Sequence, residues 1–466
     1  MSIAFVLLGI VGLAWWMASQ KHLSIITASL LVVLVGVTFG YPFFKFNIGP
    51  IPVTIDRILW AGLIALTTLF ICQGRSRNKP LNHTDILVIC LAIVVIASTF
   101  LHDWSYKDKL PLSRLLFFQL MPIGFYIVAR SCEIQTRHLT IMYVSLAVFG
   151  LYLSSTAILE QREIYALVFP RFIIGSEFQE FVGRARGPFL NPVSCGIYLL
   201  VCFTAATFLW DRAKPLLRLG LAFLVAACLV AALLTLTRSV WLSCAVAGGI
   251  LCWFPARPQV RGGLIVAATV LLVLGSLTLS PGQLNRFKRD KHVSEAAMSE
   301  SATLRPLLAH VAIKMARDKP LLGHGLGQYT AAKEPYHYTE TDGRALTRVL
   351  PYVQHNVFLS YLTELGFTGM ILLMLLLGTL TIKSWRLWQA KLLPKELRQF
   401  GLMGMVFASA FVINGMFHDV SIIPHVGSLF FLTLGIANNL YATRLSASLP
   451  RPQSFDSSNL DAPMAA

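Results

Sequence analysis

The chain has 466 residues, of which 56% are hydrophobic and 13% are charged. So few charged residues exclude a water-soluble globular protein and favour one that lies largely within a lipid bilayer. The formal net charge of +17 does not indicate nucleic acid binding, because Lys and Arg lie mostly in short loops beside apolar segments, where such residues orient a membrane protein.

Apolar segments long enough to span a membrane recur along the chain. A transmembrane helix needs about 20 apolar residues to cross a hydrocarbon core of roughly 30 Å. The candidate spans are residues 2–19, 23–42, 57–73, 84–102, 112–129, 138–158, 192–210, 217–236, 239–255, 262–280, 356–382, 398–416 and 425–442. We predict about twelve, because only Lys21 and His22 separate the first two, and Pro122 interrupts the fifth. The first segment lacks a basic flank and a cleavage site, so it is predicted to be a retained span.

The charges of the connecting loops predict the orientation of these spans. Lys and Arg are concentrated around residues 75–79, 130–137, 212–218, 257–261 and 383–398, and loops of this kind face the cytoplasm. Parity then places residues 159–191, 237–238, 281–355 and 417–424 on the opposite side. The sequence therefore predicts an all-α polytopic membrane protein. Its predicted parts are an N-terminal bundle (1–280), a large outer loop (281–355), C-terminal transmembrane helices (356–445) and a disordered cytoplasmic tail (446–466).

The outer loop at residues 281–355 is too long to be a simple connector. Helical apolar spacing begins near Ser301, and a Gly-rich turn at residues 320–327 ends it. We expect a small, partly helical cap.

A histidine motif follows this loop. His355-Asn356 is separated by nine residues from Gly366-Phe-Thr-Gly369, where the chain enters the next span. An outward-facing imidazole at this boundary has a pKa suited to general-base catalysis. Alternatively, His355 and Asn356 only cap a helix, and the two glycines allow close helix packing. The residues alone leave both interpretations open.

Three arginines are predicted at outer membrane boundaries, namely Arg186, Arg238 and Arg305. Arg238 interrupts a nearly continuous apolar stretch, and a guanidinium at membrane depth is costly without a partner or a task. If the three converge, their planar donors suit a pyrophosphate. The alternative is that Arg238 marks a tight turn and extends to the interface.

Other polar residues are weaker candidates. His324 lies in a Gly-rich turn that resembles a phosphate loop, although a helix-stop loop is the commoner explanation. His337 lies between two tyrosines and is a candidate contact to a sugar face or a packed loop residue. Asp56-Arg57 opens a span on the outer side, where it contacts a lipid phosphate or forms an ion pair at a helix start.

Metal and proton-pumping chemistry receive little support. Eight cysteines are scattered among the spans, and no metal-ligand spacing occurs on the outer face, so we expect a metal-independent site. Acidic residues near the spans are few, with Glu160 and Glu364 near span ends, which argues against a proton-driven pump.

The His-Asn-x9-Gly-x-x-Gly motif, Arg238-x3-Leu242 and the segment Arg186-Gly-Pro-Phe-x-Asn191-Pro together resemble the O-antigen ligase and O-antigen polymerase superfamily, WaaL-type ligases above all. The resemblance covers roughly residues 180–440 and implies a GT-C-like fold and glycosyltransferase activity without metal or cofactor. It implies transfer of a polysaccharide from undecaprenyl pyrophosphate to lipid A-core at the periplasmic face of the bacterial inner membrane.

The resemblance also implies roles for individual residues. His355 would be the base that deprotonates the acceptor hydroxyl, with inversion at the anomeric carbon. Arg186, Arg238 and Arg305 would bind the pyrophosphate leaving group, and Asn356, Asn191 and His337 would support the site. The implied partners are the lipid-linked glycan donor, the lipid A-core acceptor and membrane lipids, and no nucleic acid.

Three alternatives remain at this point. A polymerase of the same superfamily would use another lipid-linked repeat unit as the acceptor, and a protein-glycosylating relative would use pilin. A single dominant outer loop late in the chain favours the ligase. A transporter or flippase of lipid-linked sugars would explain the spans without catalysis, but it predicts inverted repeats and discontinuous helices, which the sequence does not reveal.

Overall fold

The structure is a computed structural model, which describes residues 24–48, 51–74, 80–102, 111–175, 177, 181–255, 295–337 and 346–445. The α-helices are α1 (Ile25–Phe39), α2 (Ile55–Cys72), α3 (His83–Leu101), α4 (Pro111–Arg114), α5 (Met121–Ser131), α6 (Thr136–Gln161), α7 (Pro192–Leu209), α8 (Pro215–Leu234), α9 (Arg238–Trp253), α10 (Glu295–Asp318), α11 (Tyr329–Ala332), α12 (Val357–Gln389), α13 (Lys395–Gly415) and α14 (Pro424–Leu440). Two short antiparallel strands, β1 (Phe46–Ile48) and β2 (Ile51–Val53), lie between α1 and α2. Short 3₁₀ turns lie at Tyr165–Leu167, Arg171–Ile174, Gly187–Phe189, Trp210–Arg212, Glu334–His337, Leu346–Val349 and Val420–Ile422.

The prediction of an all-α polytopic membrane protein is confirmed. Within the described ranges, nine helices are long and apolar enough to cross a membrane, and the shorter apolar helices α1 and α9 coincide with two further predicted spans. The predicted spans at 2–19 and 262–280 and the predicted tail at 446–466 lie outside the described residues.

The helix ends define two sides of the bundle. We call the end that carries Arg130, Arg212 and Lys395 the inner end and the opposite end the outer end. Near the inner end, Arg130 Nε lies 3.0 Å from Asp85 Oδ1, and Asn438 Nδ2 donates to the same oxygen at 3.0 Å. Charges removed from water need such partners. This network ties the start of α3 to the ends of α5 and α14.

Pro122 does not break its span. A π-helical segment, Leu115–Leu120, joins α4 directly to α5, and Pro122 is the second residue of α5. A proline ring clashes with the carbonyl four residues earlier in a regular α-helix. The wider π turn relieves this clash, so the expected interruption is a local widening within one continuous helix.

Helix α12 contains the main irregularity of the bundle. Gly366 has φ +68° and ψ −169°, so the helical hydrogen-bond pattern is interrupted at this residue. The loop at residues 320–327 enters the break, where the Phe367 N–H donates to the Pro320 carbonyl at 2.7 Å. On the other side of the break, the His324 N–H donates to the Thr363 carbonyl at 2.8 Å. Backbone groups of the loop thus replace those missing from the helix, as membrane depth requires.

Side chains hold this loop in place. The Glu364 carboxylate accepts the Gly327 N–H at 2.8 Å and lies 3.3 Å from Arg114 Nη2. Ser98 Oγ accepts the Leu326 N–H at 3.1 Å. The outer loop is therefore attached to the ends of α3 and α4 as well as to α12.

The described part of the outer loop has a small apolar cluster of its own. The predicted helix near Ser301 lies within α10, and the predicted Gly-rich turn follows it. Buried side chains of α10 pack with residues from α11 and the following turn: Leu304, Leu308, Val311, Met315, Tyr329, Leu346 and Val349. This cluster gives α10 a fixed position above the outer end of the bundle.

Replacement of Gly366 by alanine should destabilise the protein. A Cβ there would lie 2.3 Å from the Leu321 carbonyl oxygen, in a backbone conformation that L residues rarely adopt. We expect a loss of about 1–3 kcal/mol in unfolding free energy, measured by denaturant or thermal unfolding in detergent. Gly378→Ala is the matched control, because a Cβ at Gly378 in the same helix meets no atom within 4 Å. Equal stability of the two variants would contradict this account of the break.

Candidate functional site

Three turns at the outer end have the same backbone design. Each contains a non-glycine residue in the left-handed region, with φ 53° at Leu190, 50° at Leu236 and 46° at His355. Each turn is followed by a helix whose N-cap is Asn191, Thr237 or Asn356. Non-glycine residues rarely adopt this conformation, and where they do, the strain is often associated with function.

His355 and Asn356 occupy the turn before α12. The Asn356 side chain caps the helix by accepting the Phe358 and Leu359 N–H groups at 2.9 and 3.0 Å. Its amide also donates to the Met416 carbonyl at 3.0 Å, which joins this turn to the end of α13. The capping interpretation therefore holds for Asn356, whereas His355 is exposed.

Arg305 is an electrostatic neighbour of this histidine, and Arg238 is an electrostatic neighbour of Arg305. The Arg305 guanidinium lies 5.2 Å from the centre of the Phe417 ring, close to the segment that Asn356 contacts. Although Arg305 is exposed, desolvation by the surrounding protein lowers its pKa, and the positive charge of Arg238 lowers it further. Arg238 is the first residue of α9 and is exposed. The structure thus brings two of the three predicted arginines together.

The ionisation of His355 reflects these neighbours. Desolvation by the surrounding protein is the largest effect on the pKa of His355 and lowers it. The positive charge of Arg305 lowers this pKa further. Asp419 opposes both effects. An imidazole with a lowered pKa is neutral near pH 7 and is able to accept a proton.

Asp419 and Asn414 are residues of this region that the sequence did not single out. Asp419 is buried, and its carboxylate accepts the Ser421 N–H at 3.1 Å, which fixes the turn between α13 and α14. Asn414 Nδ2 donates to Ser243 Oγ at 2.9 Å and thereby joins α13 to α9, the helix that Arg238 begins. The only sequence signal for Asp419 was an acidic residue in the predicted outer stretch 417–424.

Arg186 has a different environment from the other arginines. It is buried, and its Nε lies 2.9 Å from Glu160 Oε1 while Nη2 donates to the Ile173 carbonyl at 2.7 Å. The backbone N–H groups of Arg186 and Gly187 donate to the other Glu160 oxygen at 2.9 and 2.8 Å. Instead of presenting its guanidinium to an outer pocket, Arg186 uses it to hold the turn that leads to Asn191.

The two other predicted histidines lie within the outer loop. His337 is buried, and its Nδ1 is 2.8 Å from the Lys333 carbonyl. His324 is also buried, with Nε2 3.1 Å from the Met315 carbonyl, and its backbone fills the break in α12. Both rings pack inside the loop, so the packed-residue interpretation describes them better than contact with a sugar or a phosphate.

The described ranges contain no group of three or more His, Cys, Asp or Glu residues that could hold a metal ion. The residues grouped here are an imidazole, two guanidinium groups and a carboxylate. They lie at the start of α9, within α10, before α12 and after α13. This set is able to accept a proton and to neutralise an anion.

Comparison with known families adds an independent observation. Residues 222–374 match the family described as O-Antigen ligase. This stretch is similar to the domain of O-antigen ligases. It contains Arg238, Arg305 and His355, whereas Arg186 and Asp419 lie outside it. No curated protein matches the chain.

The domain match confirms the resemblance to the O-antigen ligase and polymerase superfamily over residues 222–374, and it indicates a glycan-transferring membrane protein. The matched region extends from α8 into α12, and so includes the outer loop and the break at Gly366. His355, Arg305 and Arg238 thus lie within the matched region, and Asp419 lies beyond it in the turn between α13 and α14.

Replacement of Glu160 by glutamine should destabilise the fold around the turn that leads to Asn191. The change would leave the Arg186 guanidinium buried without its carboxylate, and breaking such a pair costs about 3–5 kcal/mol. Unfolding in detergent measures the effect, with Glu163→Gln as the control, because Glu163 is an exposed residue just beyond the same helix and such a change alters stability by less than about 0.5 kcal/mol. Similar stabilities for the two variants would show that the pair does not hold this turn.

Proposed function

We propose that this protein is a metal-independent, inverting glycosyltransferase. It would transfer a polysaccharide from undecaprenyl pyrophosphate to lipid A-core at the periplasmic face of the inner membrane. The observation that carries the proposal is the electrostatic grouping of His355 with Arg305 and Asp419, and of Arg305 with Arg238, within or beside a domain that matches O-antigen ligases.

The proposed reaction forms one bond and breaks another. An acceptor hydroxyl oxygen attacks the anomeric carbon of the donor sugar while His355 takes the hydroxyl proton. The bond between that carbon and the pyrophosphate oxygen breaks, and undecaprenyl pyrophosphate leaves with the bonding electrons. Attack opposite the leaving group inverts the anomeric configuration. Positioning of the acceptor and stabilisation of the developing charge account for most of the rate in such a reaction.

Arg238 and Arg305 are proposed to hold the pyrophosphate. Both guanidinium groups are exposed at the outer end, and planar guanidinium groups bind phosphate oxygens in a bidentate manner. The repulsion between these two arginines would be relieved by the anionic donor. For Arg186 we propose a positioning role, because Glu160 holds its guanidinium. Asn191 and Asn356 would act in the same way by fixing the starts of α7 and α12.

The same site would serve a polymerase, which differs in its acceptor. A single large outer loop attached to the bundle favours the ligase. The transporter alternative predicted a discontinuous helix, and α12 is discontinuous at Gly366. The break is filled by the backbone of the loop at residues 320–327, so it does not provide polar backbone groups to a transported ion or sugar.

Replacement of His355 by alanine tests the proposed base. With purified protein, lipid-linked glycan and lipid A-core in detergent, we expect kcat to fall by about 10²–10⁴-fold while the KM for the donor changes little. His83→Ala is the control, because His83 is exposed at the inner end of α3. Transfer at the wild-type rate by the His355 variant would exclude the base role. The transporter would be favoured if the wild type transfers no glycan in detergent but, after reconstitution into a membrane, moves the lipid-linked glycan across it.

The pH dependence tests the electrostatic grouping. Arg305 lowers and Asp419 raises the pKa of His355 from its ordinary value near 6.5. Activity that needs the neutral imidazole is lost as the pH falls through this pKa. In Arg305→Gln the pKa rises, so the acidic limb of log(kcat/KM) should move to higher pH, and in Asp419→Asn it should move to lower pH. Limbs that coincide with that of the wild type in both variants would contradict the proposed environment of His355.

A further inference from the structure

A second polar group lies at the outer end, where α1 ends and α2 and α14 begin. It consists of Asp56, Arg57 and His425. The His425 ring is partly exposed, and among the residues that the structure describes no hydrogen bond reaches its nitrogens. Asp56 and Arg57 are the charged groups that act on this ring.

Two glycines make room for this group, one within α1 and one directly after it. A Cβ at Gly36 would lie 2.8 Å from Asp56 Cβ and 3.4 Å from His425 Cε1. A Cβ at Gly40 would lie 3.6 Å from His425 Nε2. The carboxylate is buried, and the Thr54 hydroxyl donates to it. The close approach of the helices thus places a carboxylate and an imidazole side by side.

Arg57 contributes the cation. Its guanidinium lies 3.3 Å from the centre of the Phe117 ring, and its Nη1 donates to the Pro52 carbonyl in β2. Stacking on an aromatic ring fixes the plane of the guanidinium. The side chain is partly exposed, so this oriented cation is accessible from the outer end.

Contacts link the helical segment beside this group to α12, the helix that follows His355. Phe117 belongs to the π-helical segment that also contains Gln119, and Gln119 Oε1 accepts the Tyr361 hydroxyl at 3.3 Å. Tyr361 lies in the first turns of α12, and Asp419 acts electrostatically on both Tyr361 and His355. Tyr361 is therefore linked both to the π-helical segment, by its hydrogen bond to Gln119, and to the region of His355, through Asp419.

We propose that Asp56, Arg57 and His425 bind the sugar headgroup of the acceptor glycolipid. This inference rests on the proposed function, because a transferase that joins two lipid-linked molecules needs a second headgroup site beside that for the pyrophosphate. A carboxylate and an imidazole bind sugar hydroxyls, and a guanidinium binds an anionic substituent on the sugar. The subsite would hold the acceptor so that its hydroxyl reaches His355.

Kinetics with both substrates test the subsite. In Arg57→Gln and His425→Gln we expect the KM for the acceptor to rise about 10-fold, because each variant loses one contact to the acceptor. The KM for the donor should stay unchanged. Arg238→Gln is the matched control and should raise the KM for the donor instead. An unchanged acceptor KM in both subsite variants, or an equal rise for both substrates, would overturn the proposal.

Direct binding separates this proposal from the proposed transfer reaction. Without donor, the wild type should bind detergent micelles that contain lipid A-core about 10-fold more tightly than the two variants do. Micelles that contain phosphatidylglycerol should bind all three equally. If the variants bind both kinds of micelle more weakly than the wild type does, the group binds any lipid phosphate and the proposed sugar subsite is wrong. If the wild type transfers no glycan but the lipid A-core difference remains, the proposed reaction fails and the subsite stands. Arg57→Lys, which keeps the charge but not the planar donors, should also bind micelles that contain lipid A-core more weakly than the wild type.

Discussion

The bilayer requires that every polar group at membrane depth finds its partner within the chain, and this constraint explains the main irregular features of the structure. Two ion pairs follow this rule: Arg130 pairs with Asp85 near the inner end, and Arg186 pairs with Glu160 near the outer end. The break in α12 obeys the same rule, since loop backbone groups replace the missing helical ones. The polar groups that remain exposed at the outer end are therefore the ones available to a substrate.

The proposed site depends on how the outer turns are built. Leu236 and His355 both adopt left-handed backbone conformations directly before a helix N-cap, and this places Arg238 and His355 at the outer surface. Asn414 joins α13 to α9, and Asn356 joins the turn before α12 to the end of α13, so the C-terminal end of α13 contacts both elements. These contacts relate the position of His355 to that of Arg238, the first residue of α9.

The sequence predicted the spans well because about 20 apolar residues in a row have few alternatives to a membrane helix. It also predicted the motif around His355, since a polar pair at a span boundary is visible in one dimension. It did not predict that Gly366 interrupts a helix, because a glycine in an apolar run also fits close packing. The partner of Arg186 could not be inferred either, because Glu160 is separated from it by a long loop and the pairing depends on the fold. Asp419 and His425 were missed for the same reason.

The position of the Gly-rich loop along the chain has a consequence for biogenesis. The loop at residues 320–327 is synthesised before α12, and in the predicted orientation it is translocated before α12 enters the bilayer. The N-terminal part of α12, up to Gly366, therefore meets loop backbone groups that are already outside when it reaches its final depth. A delay in translocation of the outer loop would leave the N–H and carbonyl groups around Gly366 without partners in lipid. In the predicted orientation, completion of α12 would therefore depend on prior export of this loop.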